Sequence, residues 1–365
     1  MKILWKAFSI SVIIISEKLN QGAKKMENME INENDLAECR DAAERCRKEL
    51  AKRVVGQANV IDGILCAIIA GGHVLLEGVP GLAKTLALRT FAEISGLEFK
   101  RIQFTPDLLP ADLTGTLIYE QHSGKFSVRK GPVFTNVVFA DEINRAGAKV
   151  QSALLEAMAE KQVTIGEDTY ALPEPFFVLA TQNPIEQEGT YNLPEAELDR
   201  FLMKIVVPYP SAKEEVEIVK TGGNAPFVPV QKVFSESILR KCRAVLEKIV
   251  CDERIVEYIV SIVNVTRPES GAQNSNGAKE RHFQGKSEIG RYINFGASPR
   301  AGIALLQCAK VRALFAGRSF VLPDDVKGVA KEVLRHRLVL SYEAAAAGVG
   351  ADDIIDKILE LTPLP

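Results

Sequence analysis

A glycine-rich run that ends in lysine and threonine has the residue types and spacing of a phosphate site. Residues 78–85 are Gly-Val-Pro-Gly-Leu-Ala-Lys-Thr, which matches the pattern G-x-x-x-x-G-K-[ST]. An expected strand precedes the run and an expected helix follows it. Glycines let backbone N–H groups curve around a phosphate, and the positive end of the following helix points to the same place. The run therefore predicts a loop that binds nucleotide phosphates.

Two side chains at the end of this loop have separate expected roles. Lys84 would place its charge on the β and γ phosphates of ATP, and the Thr85 hydroxyl would bind Mg²⁺. A chance glycine turn before a helix is the alternative, and the strand, loop and helix context counts against it. The other loop positions assigned to nucleotide binding are Gly78, Pro80, Gly81, Leu82, Ala83 and Leu86.

A pair of carboxylates supplies the metal and base chemistry that such a site needs. The apolar run 137–140 ends in Asp141 and Glu142. Asp141 is expected to hold Mg²⁺ directly or through its waters, and Glu142 to polarise the water that attacks the γ phosphate. An apolar strand that ends in two acids is also common by chance. The assignment therefore depends on the glycine-rich loop.

Asn183 follows another apolar run, 176–180, and is expected at the same edge of the sheet as Asp141. An amide there can donate to a phosphate oxygen and accept from the attacking water. The alternative is an asparagine that only forms a turn before Pro184. The residue types alone leave both interpretations open.

Short apolar runs separated by helix-length connections predict the scaffold that positions these residues. The runs span 73–77, 99–104, 137–140, 176–180 and 204–207. They favour a mostly parallel sheet covered on both faces, after a helix at 35–52.

The pattern changes after Pro208-Tyr209-Pro210, where helical periodicity takes over. We expect a nucleotide-binding core over 35–210 and a helical domain over 211–365, interrupted by a polar loop at about 269–290. The predicted helices of the second domain are 236–249, 252–265, 299–316, 324–336 and 351–361.

The first 34 residues are expected to be a separate N-terminal arm. Residues 1–15 are mostly apolar, but Lys2 and Lys6 interrupt them, and the run is too short for a spanning helix. Three interpretations stay open: a start codon assigned too far upstream or a disordered arm, a surface anchor, and an export signal.

Composition narrows the function classes. The formal net charge of -2 gives no broad attraction to DNA or RNA, and 47% hydrophobic with 25% charged residues is typical of a globular protein. Six cysteines without a C-x-x-C pair favour free thiols and a cytoplasmic location, and the four histidines lack metalloenzyme spacing.

These motifs, in this order, resemble AAA+ ATPases and specifically the MoxR group. The resemblance extends over about 54–340. It implies a P-loop αβα sandwich with strand order 5-1-4-3-2, a helical lid domain, and a ring, usually a hexamer, with ATP at each subunit boundary. The matching runs are 54–57, 103–115, 141–146, 183–184, 195–201 and 296–301.

The resemblance also implies roles for single residues. Asn183 falls on the sensor-1 position, Arg200 on the arginine finger, and Arg300 on sensor 2. The same comparison assigns Val54, Val55 and Gly56 to the nucleotide site.

Both arginines have a separate rationale in the residues around them. Asn192 and Glu195 have capping-box spacing for a short helix that would hold Arg200 at its far end and aim it outward. Ser298 is expected to cap a helix, so Arg300 would place a cation near that helix's positive end, which makes sense if an anion is shared. Without the resemblance, either arginine could form a surface ion pair.

Two segments are similar to inserts of this group. Residues 116–132 resemble an insert with short β runs, and 161–173 resemble a β-hairpin; in ring relatives both project towards the pore. Lys125, Arg129 and Lys130 make the first insert basic. A solvated charge run and a substrate contact are equally compatible with these three residues.

The resemblance implies a Mg-ATP-hydrolysing ring ATPase that acts as a chaperone-like remodeller or maturation factor for protein partners, typically proteins with a von Willebrand factor A domain. Any peripheral membrane association would come through such partners. Two alternatives are an assembly switch with little turnover and a nucleic-acid motor. Glu142, Asn183 and Arg200 together favour hydrolysis. No stable nucleic-acid binding is expected, because the sequence has no recognised module for it.

Overall fold

The computed structural model describes residues 31–54, 56–78, 84–184, 190–220, 228–268 and 289–365. The N-terminal arm up to residue 30, most of the polar loop, and Val55, Pro80, Gly81, Leu82 and Ala83 lie outside the described residues.

The described helices are α1 (Glu33–Ala51), α2 (Ala58–Ala70), α3 (Lys84–Ser95), α4 (Pro110–Thr114), α5 (Ala148–Glu160), α6 (Glu195–Leu198), α7 (Ala212–Lys220), α8 (Glu236–Lys248), α9 (Glu253–Val265), α10 (Pro299–Phe315), α11 (Pro323–Leu334), α12 (Tyr342–Ala347) and α13 (Ala351–Leu361). The strands are β1 (Val74–Glu77), β2 (Phe99–Gln103), β3 (Gly115–Glu120), β4 (Lys125–Lys130), β5 (Val137–Asp141), β6 (Gln162–Ile165), β7 (Asp168–Ala171), β8 (Phe177–Gln182), β9 (Met203–Val206), β10 (Ile293–Phe295) and β11 (Val339–Leu340).

A five-stranded sheet forms the centre of the molecule, in the order β2-β5-β8-β1-β9. All neighbouring pairs are parallel. Numbered one to five along the chain, these strands have the order 5-1-4-3-2, which confirms the prediction. The three central strands are buried almost throughout, as expected for a parallel sheet covered on both faces.

Alternate residues of the central strands enter two separate apolar cores, because side chains of a strand point to opposite faces in turn. Leu76 and Phe139 pack with α1 to α3 and with the C-terminal helices. Leu75 and Val138 pack on the other face with α5. The C-terminal helices therefore share one continuous core with one face of the sheet.

The parallel arrangement creates two chemically different edges, here called the carboxyl edge and the amino edge. At the carboxyl edge, β1 ends before Gly78, β5 ends in Asp141, and β8 ends before Asn183. At the amino edge, the Leu202 N–H donates to the His73 carbonyl at 2.8 Å, just before β9 and β1 begin.

Two antiparallel hairpins project from the core. β3 pairs with β4, and β6 pairs with β7, in agreement with the β runs predicted at 116–132 and the hairpin predicted at 161–173. The hairpins touch each other at Gly166, where a Cβ would lie 2.7 Å from a methyl carbon of Leu117. Their position at a ring pore stays a prediction.

The five predicted C-terminal helices agree closely with α8, α9, α10, α11 and α13, whereas α7 and α12 were not predicted. The domain boundary near 210 also stays a prediction. Across the described ranges, no helix is both long and apolar enough to span a membrane.

Candidate functional site

Lys84 begins α3 directly after the glycine-rich loop and lies near both predicted carboxylates. Its Nζ donates to the Gly78 carbonyl at 2.7 Å. Burial lowers the pKa of Lys84, and the negative charges of Asp141 and Glu142 oppose that shift. The structure thus brings the predicted phosphate-binding cation and the predicted acids together at the carboxyl edge.

Asp141 is held by two side chains that the sequence did not single out. Its Oδ1 accepts from the Thr181 hydroxyl at 2.7 Å. Its Oδ2 accepts from Arg101 Nη2 at 2.6 Å and Nε at 3.2 Å. These bonds fix the orientation of the carboxylate at the end of β5.

Glu142 has a left-handed backbone, with φ 56°, which is uncommon for a residue other than glycine. Such a conformation costs about 1–3 kcal/mol and is often found at functional sites. The Glu142 N–H donates to the Thr181 hydroxyl at 2.8 Å. Its carboxylate accepts from Gln103 Nε2 at 2.7 Å and contacts Arg145 Nε at 3.1 Å. Thr181 therefore joins the backbone of Glu142 to the side chain of Asp141.

Asn183 directly follows β8, the strand next to β5, and is buried. Its carbonyl accepts from Asn144 Nδ2 at 3.4 Å. Thr85 and Leu86 lie half-buried in the first turn of α3. The carboxyl edge therefore contains the predicted ammonium, hydroxyl, carboxylates and amide.

This set of groups fits Mg-ATP. A helix N-terminus and an ammonium suit phosphate, and a hydroxyl with a carboxylate suits Mg²⁺. At Gly78 a Cβ would lie 2.9 Å from the Val207 Cβ and 3.2 Å from its carbonyl oxygen, so glycine is needed where the loop leaves β1.

Two of the predicted nucleotide residues before α2, Val54 and Gly56, are among the described residues. Val54 is buried. Gly56 has φ +74°, and a Cβ there would lie 2.3 Å from the Glu214 carboxyl carbon. Glu214 in turn caps α7 by accepting from the Ser211 N–H at 2.7 Å. A nucleotide contact by Val54 or Gly56 stays a prediction.

Arg200 and Arg300 lie together at the amino edge, around a cavity of about 230 Å³ that we call the amino-edge cavity. Arg200 is exposed and its Nη1 donates to the Leu155 carbonyl at 3.2 Å. Within the described ranges, no carboxylate forms an ion pair with Arg200, Arg300 or Lys161. The polar residues that line this cavity include His73, Lys161, Asp199, Arg200, Arg300 and Arg337.

Of the two helix caps predicted near the arginines, the structure confirms one. Ser298 caps α10, because its hydroxyl accepts from the Arg300 N–H at 3.2 Å, which confirms the predicted cap. The prediction of a capping box at Asn192 is wrong, since α6 begins at Glu195 and Pro194 occupies the cap position. Pro194 has a backbone already suited to a helix start, and α6 makes only one turn, so no side-chain cap forms there.

A buried ion pair next to Arg200 was missed by the sequence interpretation. The Arg337 Nε donates to Asp199 Oδ1 at 2.7 Å, and only 3% of the Arg337 side chain is exposed. Burial lowers the pKa of the Arg337 guanidinium, while its hydrogen bond to Asp199 opposes the shift. The available signal was the basic run Arg335-His336-Arg337 at the end of a predicted helix.

A parallel sheet in the order 5-1-4-3-2, a glycine-rich phosphate loop and a helical lid define an ATPase of the AAA+ class. The family model described as "ATPase family associated with various cellular activities (AAA)" matches residues 73–203, and the AAA lid domain matches residues 286–358. Three similar proteins identify the family within this class.

Chaperone MoxR1 of Mycobacterium tuberculosis is 45% identical, over 88% of this chain and 82% of the relative. Protein MoxR of Methylorubrum extorquens is 35% identical, over 90% of this chain and 97% of the relative. The crystal structure of a presumed ATPase from Cytophaga hutchinsonii superposes with a TM-score of 0.80 at 47% identity, and covers 91% of this chain and 98% of that one. This chain belongs to the MoxR family of AAA+ ATPases, as its motifs predicted.

Proposed function

We propose that this protein hydrolyses Mg-ATP in a ring of identical subunits, usually six in this family, and uses the cycle to remodel protein partners. The observation that carries the proposal is the separation of its charges on two edges of one sheet. Lys84, Asp141 and Glu142 lie at the carboxyl edge, whereas Arg200 and Arg300 lie at the amino edge.

The two edges are too far apart for one subunit to complete a site alone. His73 lies in the amino-edge cavity and Gly78 begins the phosphate loop at the other end of β1. A rise of about 3.3 Å per residue places them roughly 16 Å apart, further than an arginine side chain extends. In a ring, the amino edge of one subunit faces the carboxyl edge of the next, and ATP lies between them.

Each residue of this site between two subunits has its own role in hydrolysis. Lys84 binds the β and γ phosphates, while Thr85 and Asp141 hold Mg²⁺, which would neutralise phosphate charge. Glu142 takes the proton from the attacking water as the new P–O bond forms and the bond to the departing ADP breaks. Asn183 orients that water. Arg200 and Arg300 of the neighbour stabilise the negative charge that develops on the γ phosphate.

Gln103 and Arg145 orient the Glu142 carboxylate that accepts this proton. Both partners occupy the Oε2 atom. This arrangement supports a base that is oriented through Oε2, so that Oε1 can take the proton from water.

The proposed partners are proteins, and among them proteins with a von Willebrand factor A domain. The name of the mycobacterial relative, Chaperone MoxR1, supports a remodelling role. The β3–β4 hairpin exposes the paired rings of Tyr119 and Phe126, which suit contact with a polypeptide. Lys130 instead lies over the rings of Phe134 and Tyr170, which favours a structural role for that one basic residue. We place the protein in the cytoplasm, with membrane contact only through partners.

The remodelling proposal is tested by trapping the partner. Glu142→Gln retains the shape of the site but lacks the base, so it is expected to hold ATP and its partner together. Affinity capture from the native host in ATP, followed by mass spectrometry, should enrich one von Willebrand factor A domain protein relative to capture with Lys84→Ala. Equal recovery of all proteins with both variants would contradict a partner-directed cycle.

A further inference from the structure

The segment that joins Arg200 to β9 is bound by two side chains that follow α11. Arg337 Nη2 donates to the Phe201 carbonyl at 2.7 Å, and Arg337 Nη1 donates to the Leu202 carbonyl at 3.1 Å. His336 Nε2 lies 3.0 Å from the same Phe201 carbonyl. The backbone on the C-terminal side of Arg200 is therefore held by the lid as well as by the sheet.

Asp199, directly before Arg200, connects this segment to a second lid helix. Its Oδ1 accepts from Arg337 Nε at 2.7 Å, and its Oδ2 accepts from the Ser298 hydroxyl at 2.9 Å. Ser298 also caps α10, whose first turn contains Arg300. One carboxylate thus joins the backbone of Arg200 to the helix that holds Arg300.

The Asp199–Arg337 pair has the geometry of a fixed clamp. The Arg337 side chain is 3% exposed and that of Asp199 is 18% exposed. Each guanidinium nitrogen of Arg337 has an acceptor, and Val333, Leu202, Phe201 and Asp199 supply them. Buried ion pairs are often no more stabilising than apolar residues of similar volume. Stability alone therefore gives no reason for a charged pair here.

We propose that Asp199 is a positioning residue that holds Arg200 and Arg300 as one unit, and that Arg337 fixes Asp199 in place. This inference rests on the proposed function, in which both arginines act on the neighbour's nucleotide. A movement of the lid then displaces both cations together. Two guanidinium groups must reach one phosphate at the same moment, and a misplacement of about 1 Å can cost roughly 10²-fold in rate.

Asp199→Asn tests the inference, because the amide keeps the shape and the bond from Ser298 but removes the charge. ATP affinity is expected to stay at the wild-type value, since the variant's own carboxyl edge is unchanged, while kcat falls by about 10²-fold. Asp325→Asn is the matched control. It breaks the lid ion pair of Asp325 with Arg318, at 2.6 Å, which does not touch Asp199, and kcat should remain that of the wild type.

Mixed oligomers distinguish positioning from a general loss of structure. Asp199→Asn subunits should regain activity with Lys84→Ala subunits, because an intact phosphate loop of the first then meets intact arginines of the second. They should stay inactive with Arg200→Ala subunits, because both variants damage the same edge. Wild-type kcat for Asp199→Asn, or activity of its mixture with Arg200→Ala, would overturn the inference.

The outcomes also separate this inference from the proposed function. If Arg200→Ala and Lys84→Ala fail to restore each other, the shared site itself is wrong. If they do restore each other but Asp199→Asn behaves differently from Arg200→Ala, only the positioning role is wrong. Should Asp199→Asn not fold, Ser298→Ala removes the link to α10 and keeps the Arg337 pair. Ser298→Ala is expected to lower kcat, to regain activity with Lys84→Ala subunits and to regain none with Arg200→Ala subunits. An unchanged kcat would overturn the inference.

Discussion

The two edges of the sheet differ in how their charges are compensated. At the carboxyl edge, Asp141 is paired with Arg101, and Glu142 with Arg145. At the amino edge, no described carboxylate pairs with Lys161, Arg200 or Arg300. The two carboxylates of the first edge are paired within the subunit, whereas the second edge has cations that an external anion can satisfy. The difference is the reason for our proposal that the site is completed by assembly.

The largest expected effect comes from the cation of the carboxyl edge. Lys84→Ala should abolish tight ATP binding, because it removes the ammonium that compensates the β and γ phosphates. Isothermal titration calorimetry measures this directly. Arg89→Ala, an exposed cation five residues along the same helix, is the control and should bind ATP as the wild type does. Unchanged ATP affinity in Lys84→Ala would remove the phosphate-site assignment.

The next largest effect is a loss of turnover with no change in ATP binding. Glu142→Gln should keep ATP affinity and lower kcat by about 10²- to 10⁴-fold, the usual contribution of a general base. Phosphate release at saturating ATP is the measurement. Glu156→Gln, on the exposed face of α5, serves as the control and should hydrolyse normally. Normal hydrolysis by Glu142→Gln would make Glu142 a structural residue.

A smaller effect tests the charge balance at the carboxyl edge. Arg101→Ala removes a half-exposed cation bonded to Asp141, so Asp141 should attract Mg²⁺ more strongly. A surface ion pair is worth about 0.2–1 kcal/mol, which corresponds to a decrease of up to about 5-fold in the Mg²⁺ concentration for half-maximal hydrolysis. A higher Mg²⁺ requirement would show instead that Arg101 helps Asp141 to bind the metal.

The carboxyl edge could be predicted from the ends of apolar strands, because Asp141 ends β5, Asn183 follows β8, and Lys84 follows β1 and the glycine-rich loop. Parallel strands bring such positions together even when they are far apart in sequence, so Lys84, Asp141 and Asn183 were placed correctly relative to one another. Arg101 and Gln103 were missed, although residues two apart on a strand share a face, and that spacing was the available signal.

The amino edge could not be predicted in the same way. Asp199 and Arg337 are brought together by helix packing, which leaves no contiguous motif. The helix α2 was also missed. It is buried on almost every side, so it lacks the wide polar face by which a surface helix is recognised.

The central claim is that each active site takes residues from two subunits, and subunit mixing tests it most directly. Arg200→Ala should bind ATP but lose about 10³- to 10⁵-fold in kcat, and Lys84→Ala should be inactive through loss of ATP. Sedimentation in Mg-ATP first establishes that the two variants form mixed oligomers. Recovery of hydrolysis in those oligomers, above the sum of the separate variants, is the predicted result. No recovery in proven mixed oligomers would mean that Arg200 serves its own subunit or only the fold.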